Sequence, residues 1–182
     1  SNPDIKVIGV EAANAACMAE SIKLGCPAHL KNVDTIADGI AVKCPGELTY
    51  KIIAEYADEI VTVEEEEIAH AISLLMERAK LIVEGAGATT LAAVLNNKIK
   101  AEGKKIAAVL SGGNIDLDII STIIDRGMIK AGRRISFETS LYDKPGALRD
   151  LLDVITRTGA NVISVVHDRL TPDISLKHAQ VQ

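Results

Sequence analysis

A short apolar run closed by glycines constrains the fold of this chain most strongly. Residues 106–110 are consecutive apolar residues, and the tetrapeptide Ser-Gly-Gly-Asn follows them at 111–114. Such a run is typical of a strand that is buried on both faces of a parallel sheet. Ligands bind at the carboxyl ends of strands in open α/β sheets, so Ser111 is placed to contact one. The alternative is an ordinary strand-to-helix turn, in which Ser111 or Asn114 bonds only to nearby backbone groups.

The order of the elements before residue 127 indicates the fold class. We predict strands at 5–10, 59–63 and 106–110 and helices at 14–24, 47–56, 64–80 and 116–124. A further, small-residue helix is predicted to follow residues 85–90 and to end at Leu95. Alternating strands and helices, with continuous apolar strands, indicate an α/β fold around a parallel sheet. The helix at 64–80 opens with four glutamates, at 64–67. We interpret them as a solvated, dipole-stabilised first turn rather than as a metal site.

The pattern changes across a linker at 127–134. We predict a strand at 135–142, a turn at 143–146, an amphipathic helix at 147–155 and strands at 161–168 and 174–181. This β-α-β-β pattern predicts a second domain at 132–182, after a first domain at 1–131. The last strand would leave a bare sheet edge, so we expect both ends of the chain to lie inside a domain rather than at its natural limits.

Composition excludes several classes of function. A net charge of −5 and an aromatic content of 2% argue against nucleic-acid binding. No apolar run approaches the ~20 residues of a membrane span, and the first residues lack the features of a signal peptide. Cys17, Cys26 and Cys44 lack CxxC spacing, so we expect reduced thiols in a cytoplasmic protein.

Five motifs, in this order and at these separations, carry a resemblance to a known family. They are VIGVE at 7–11, ADGIAV at 37–42, PGELTY at 45–50, EGAGA at 84–88 and LSGGNID at 110–116. With them the chain resembles the pyridoxal-phosphate-dependent threonine dehydratases, which are related to serine dehydratase and serine racemase. The resemblance implies the parallel sheet of fold-type II (tryptophan synthase β-like) enzymes. Residues from 134 onward resemble the ACT regulatory domain, an α+β ferredoxin-like fold that is incomplete here.

The resemblance also implies a cofactor site. Ser111 matches the serine that faces the pyridine nitrogen of pyridoxal 5'-phosphate, and Gly39, Glu84, Gly85 and Gly112 match positions around the ring. A hydroxyl is a neutral partner that does not hold a proton on that nitrogen, which suits β-elimination. The alternative for Glu84 is an acid that only stabilises the start of a helix.

The implied reaction is deamination of L-threonine or L-serine to 2-oxobutanoate or pyruvate and ammonia. The family's Schiff-base lysine has no match here, since Lys104 and Lys105 precede a predicted buried strand. We therefore assign no catalytic residue to this chain and expect it to be inactive unless a lysine-bearing segment is present. The alternatives are a non-catalytic, amino-acid-binding regulatory module and a serine racemase-like activity.

Two further ligand sites are suggested by the resemblance. Glu11 and Ala15 match two ligands of a divalent cation found in some relatives, but Cys17 stands where an aspartate would, so we assign no metal site. An isoleucine or valine effector of a homodimer or homotetramer is expected near the turn of the second domain. The residues expected to bind it are Leu141, Asp143, Gly146, Ala147 and Asn161. The alternative is that Pro145 and Gly146 only form the turn.

Overall fold

The chain forms two compact units, at 1–131 and 132–182. The computed structural model describes residues 4–100, 102–170, 172 and 174–182. The first unit contains β1 (Ile8–Ala12), α1 (Cys17–Leu24), α2 (Glu47–Tyr56), β2 (Glu59–Val63), α3 (Glu65–Leu74), α4 (Gly85–Leu95) and α5 (Leu117–Lys130). The second unit contains β3 (Thr139–Tyr142), α6 (Ala147–Arg157), β4 (His167–Asp168) and β5 (His178–Val181). Among the described helices, none has the length and apolar character needed to cross a membrane.

The two strands of the first unit pair in parallel. Ile8 lies opposite Glu59 and Ala12 lies opposite Val63. Both strands are rich in β-branched residues, which favour extended backbone. Strand β2 has the predicted bounds, and β1 lies three residues further on than predicted at its start. The parallel pairing confirms the predicted α/β arrangement of this unit.

Helix α4 is made of small residues and packs inside the first unit. Its buried residues are Gly85, Gly87, Ala88, Thr89, Ala92 and Ala93. It contacts α3, whose Ile68 and Ile72 are also buried, and it contacts both strands. Short side chains allow the backbones of packed elements to approach closely, so α4 brings its amino-terminal end near two loops that are distant in sequence.

Helix α3 begins with the four predicted glutamates, which have different partners. Glu64 and Glu67 form a reciprocal capping box with the backbone at the helix start. Glu66 lies 3.0 Å from Arg126 on α5, and Glu67 also lies 3.2 Å from Lys98. The prediction of a helix here is confirmed, although its last turn, Leu75–Ala79, widens to a π-helix. Glu66 and Glu67 therefore form ion pairs with residues outside α3, and the acids at its start also stabilise the helix through its dipole.

The predicted buried strand at 106–110 is wrong. The segment has no regular secondary structure and pairs with no strand among the described residues, and Ile106, Val109 and Leu110 are 44%, 71% and 38% exposed. A hydrogen bond from the Thr90 hydroxyl to the Val109 carbonyl oxygen, 2.9 Å long, ties it to α4. A strand needs a partner for its backbone groups, and the described sheet of this unit consists of β1 and β2.

The second unit is a three-stranded antiparallel sheet in the order β3-β5-β4, with α6 contacting β3. The predicted β-α-β-β order is confirmed. The predicted strands at 135–142, 161–168 and 174–181 are too long, because only the final residues of each find partners. Ile135, for example, is 78% exposed, whereas Ala179 and Val181 on the central strand are buried.

Candidate active site

Three backbone segments converge at the start of α4, and a glycine makes the first of these contacts possible. A Cβ atom on Gly85 would overlap the carbonyl oxygen of Ile36 and would lie 2.8 Å from the Cα atom of Ala37. Any larger residue would push α4 away from the loop at 36–39. Gly85, which sequence analysis assigned to the cofactor pocket, therefore brings this loop against the helix.

Gly87 makes the second close contact. A Cβ atom here would overlap the backbone carbonyl oxygen of Ser111 and would lie 2.8 Å from Cγ1 of Val83. Gly87 is not among the residues that the sequence motifs predict for the site. Its signal was the Gly-Ala-Gly spacing at 85–87, which places two residues without side chains in the first turn of one helix.

Glu84 lies where the three segments meet. Its Oε2 atom accepts a hydrogen bond from the backbone N–H of Asn114 at 3.1 Å, and its own N–H donates to the Gly112 carbonyl at 3.4 Å. Gly112 has a φ of +72°, and a Cβ atom there would overlap the Glu84 carboxylate. A Cβ atom on Gly39 would lie 3.3 Å from Oε1 of Glu84. The carboxylate thus contacts both loops.

The hydrogen bonds of Glu84 bear on its two interpretations. The residue is the N-cap of α4, but its side chain makes no capping hydrogen bond to that helix. Its carboxylate is instead bonded to the loop that carries Asn114. The Glu84 carboxylate therefore joins the start of α4 to a second loop, and its predicted place beside the cofactor ring stays a prediction.

The five residues assigned to the cofactor are brought together by the fold. Gly39, Glu84, Gly85, Ser111 and Gly112 all belong to the three converging segments. Ser111 is exposed, and no hydrogen bond to its hydroxyl is found within the described part of the chain. The site therefore offers a neutral hydroxyl on a loop that is hydrogen-bonded to the Glu84 carboxylate, where glycines let the backbone segments approach closely.

Glu11, considered above as a cation ligand, is engaged elsewhere. Its Oε1 atom accepts the N–H of Met18 at 2.9 Å, and Oε2 accepts the N–H of Ala19 at 2.7 Å, at the start of α1. Burial, together with the nearby charge of Glu11, raises the pKa of the Cys17 thiol. Within the described ranges no group of three or more His, Cys, Asp or Glu side chains is arranged to hold a metal ion.

Two of the predicted effector residues lie at the end of β3. Leu141 is half-buried on the strand. The carboxylate of Asp143 faces Arg169, with contacts of 3.0 Å to Nε and 3.1 Å to Nη2. The N–H of Asp143 donates to the carbonyl of Lys177 at 2.8 Å. Asp143 therefore joins three parts of the second unit.

The other effector residues are less closely grouped. Gly146 has a φ of +92° at the start of α6, a conformation that glycine adopts without strain. The N–H of Ala147 donates to the carbonyl of Lys144 at 3.2 Å, so the turn itself uses that donor. Asn161 is exposed, beyond the end of α6. The predicted role of these residues in binding an effector stays a prediction.

Comparison with known proteins identifies the family. Residues 1–112, more than half of the chain, match the family described as pyridoxal-phosphate dependent enzyme. The chain belongs to this family of pyridoxal-phosphate-dependent enzymes. The predicted α/β fold of fold-type II is thereby confirmed, as is the predicted cofactor class.

Individual relatives are similar over much of the chain. L-threonine ammonia-lyase of Thermotoga maritima is 48% identical over 181 residues, which are 100% of this chain and 45% of that protein. The processed form of threonine deaminase isoform 2 from Solanum lycopersicum matches with a TM-score of 0.61 and 35% identity, over 68% of this chain and 36% of that one. Maize serine racemase matches with a TM-score of 0.60 and 31% identity, over 69% of this chain and 41% of that one. The chain thus spans less than half the length of these relatives.

Proposed function

We propose that the protein is a pyridoxal-phosphate-dependent threonine ammonia-lyase. It would convert L-threonine to 2-oxobutanoate and ammonia, with L-serine as a second substrate giving pyruvate. The observation that carries the proposal is the Glu84–Asn114 hydrogen bond, which ties the loop of Ser111 to the start of α4. The 48% identity to a threonine ammonia-lyase over 181 residues supports the choice of reaction.

The residues present suit this cofactor. When bound, pyridoxal phosphate supplies an electron sink for the carbon that loses its proton. Ser111 is the residue that would hold the ring nitrogen, and its hydroxyl is exposed at the converging loops. Because a hydroxyl carries no charge, it would leave that nitrogen unprotonated, which suits rapid loss of a β-hydroxyl over reactions that need a long-lived carbanion.

Glu84 and the glycines would shape the pocket rather than react. The bond from Asn114 to Glu84 holds the Ser111 loop at a constant place relative to α4, so the hydroxyl is positioned before a ligand binds. Gly39 and Gly112 flank the same carboxylate, and a side chain at either would crowd it. Together these residues would orient the ring.

A serine racemase-like activity is the second candidate, and the match to maize serine racemase supports it. The two activities are separated by their products. The protein, expressed from its natural gene, should show the visible absorption of bound pyridoxal phosphate and should release 2-oxobutanoate from L-threonine. D-Serine formed from L-serine, without 2-oxobutanoate from L-threonine, would instead favour racemisation. Bound amino acid without cofactor would favour a non-catalytic regulatory module.

We also propose that the second unit binds isoleucine or valine in a homodimer or homotetramer. The support is the left-handed Gly146 at the start of α6, next to a turn built on Asp143. Calorimetric titration with isoleucine and valine, with lysine as the control, tests this binding, and light scattering tests the oligomer. The free thiols of Cys17, Cys26 and Cys44 support a cytoplasmic location, which cell fractionation tests.

A further inference from the structure

Glu65 connects α3 to the loop at 36–39. Its Oε2 atom accepts a hydrogen bond from the backbone N–H of Ile36 at 2.8 Å, across 29 residues of sequence. Its Oε1 atom is buried and has no hydrogen-bond partner in the described part of the chain. A buried carboxylate is costly unless hydrogen bonds compensate it, so the bond to Ile36 holds this side chain in place.

The other three glutamates at the start of α3 have different partners, as described above. The capping box uses Glu64 and Glu67, and Glu66 pairs with Arg126 at an exposed position. Glu65 is therefore the member of this group whose carboxylate points toward the candidate active site.

The loop that Glu65 holds is otherwise bonded to itself. The N–H of Ala37 donates to the Thr35 hydroxyl at 3.1 Å, and the N–H of Gly39 donates to Oδ1 of Asp38 at 2.8 Å. The N–H of Ile40 donates to the Ala37 carbonyl at 3.0 Å. Among the hydrogen bonds described for residues 35–41, only the one that the Ile36 N–H donates to Glu65 joins the loop to another element.

This loop forms one wall of the candidate site. Ala37 is fully buried, and its Cα atom lies against Gly85. Two residues later, Gly39 lies beside the Glu84 carboxylate. The position of the Ile36 backbone therefore determines how closely Gly39 approaches Glu84.

We propose that Glu65 is a positioning residue for the pyridoxal phosphate site, acting through the Ile36 amide on the loop that carries Gly39. This inference rests on the proposed function, since it assumes that these loops bind the cofactor. Glu65 itself touches neither Glu84 nor Ser111 in the contacts described for them. Its effect should reach the cofactor only through the loop.

The test compares Glu65→Ala and Glu65→Gln with Glu66→Ala as the matched control. Glu66→Ala removes a neighbouring acid from the same helical turn, and with it an exposed ion pair of small effect. The Gln variant keeps an oxygen that can accept the Ile36 N–H. Pyridoxal phosphate is titrated into each cofactor-free protein, expressed from its natural gene, and hydrogen exchange of residues 35–41 is followed by mass spectrometry.

We expect Glu65→Ala to weaken pyridoxal phosphate binding by about tenfold and to speed exchange of the Ile36 amide. Glu65→Gln and Glu66→Ala should stay within about twofold of wild type, because each keeps the Ile36 hydrogen bond. If Glu65→Ala does not fold, Glu65→Asp retains the charge but shortens the reach, and it should show the same direction of change in both measurements.

Equal cofactor binding by wild type and Glu65→Ala would overturn the positioning role alone, leaving the proposed function intact. A loss of cofactor affinity in Glu66→Ala as large as that in Glu65→Ala would also overturn the positioning role, because the effect would then come from the charge of the helix. Failure of the wild-type protein to bind pyridoxal phosphate would overturn the proposed function and this inference together.

Discussion

The carboxylate of Glu84 accepts a hydrogen bond from the backbone N–H of Asn114, although 30 residues separate them in the chain. The carboxylate lies between two loops, since Oε2 binds Asn114 and Oε1 lies near both Gly112 and Gly39. This single group therefore lies between the loop of Ser111 and the loop of Gly39.

Glu84→Ala should weaken pyridoxal phosphate binding and lower the free energy of unfolding by about 1 kcal/mol. The Asn114 N–H loses its acceptor, but because it lies near solvent, water replaces part of the bond. Urea unfolding and cofactor titration measure the two effects. Glu55→Ala, on the exposed side of α2, is the control and should change neither. Unchanged cofactor affinity in Glu84→Ala would show that the carboxylate does not organise the site.

Gly87→Ala should destabilise the protein by about 1–3 kcal/mol, because the new methyl group meets the Ser111 carbonyl oxygen, a backbone atom that cannot move freely. Gly127→Ala in α5 is the contrast. Its methyl group would lie 3.3 Å from the Ser73 hydroxyl oxygen, which can rotate away, and alanine favours a helix by about 1 kcal/mol. Thermal unfolding compares the stability of the two variants. A similar loss of stability in both would contradict the close contact at Gly87.

Cys17 should react with alkylating reagents much more slowly than the exposed Cys26 and Cys44. Burial and the charge of Glu11 raise the pKa of its thiol above the ordinary value of 9.0, so less of it is thiolate at a given pH. Mass spectrometry of peptides after timed labelling measures each site, with Cys26 as the internal control. Labelling of Cys17 at the rate of Cys26 in the folded protein would be inconsistent with this environment.

The same shift predicts how Cys17 affects stability at alkaline pH. The folded state holds the Cys17 thiol proton more tightly than the unfolded state does. The contribution of this thiol to the free energy of unfolding is therefore complete below pH 9.0 and is lost as the pH rises through the raised pKa of the folded state. The free energy of unfolding of wild type should therefore fall more steeply above pH 9.0 than that of Cys17→Ala. Parallel curves for the two proteins would contradict the raised pKa.

Arg169→Gln should lower the stability of the second unit only slightly, by about 0.5–1 kcal/mol at low salt. The guanidinium meets both carboxylate oxygens of Asp143, but its side chain is 66% exposed, so water weakens the pair. The difference should shrink in about 1 M salt, which screens charges over a few ångströms. Urea unfolding at the two salt concentrations measures it, with Arg157→Gln on α6 as the control. A loss that does not change with salt would show that Arg169 acts through packing instead.

Much of the fold was predictable from sequence because the signals are local. Helix α2 and strand β2 have the predicted bounds, since periodicity and turn residues act over a few positions. The strand at 106–110 was predicted wrongly for the opposite reason. Its apolar run is a local property, but a strand exists only where another strand bonds to it.

The residues of the candidate site were also only partly predictable from sequence. Sequence motifs, through the resemblance they carry, identified Gly39, Glu84, Gly85, Ser111 and Gly112, whose cofactor-binding role stays a prediction. They did not identify Gly87, because a glycine in a helix has no local sign of the carbonyl that approaches it. They also left Glu84 with two interpretations, since a helix start explains an acid as well as a pocket does.

By itself, the sequence indicated the family through its five motifs, and it predicted most of the helices and strands and the residues that could form a site, because motifs and short-range periodicity are read directly from neighbouring positions. Only the tertiary structure decided which groups meet. Adjacent glutamates at 65 and 66 have the same chemistry and the same helical turn, yet one binds the Ile36 amide and the other pairs with Arg126. Such partners are set by the packing of elements far apart in the chain, where no local pattern distinguishes one carboxylate from the next.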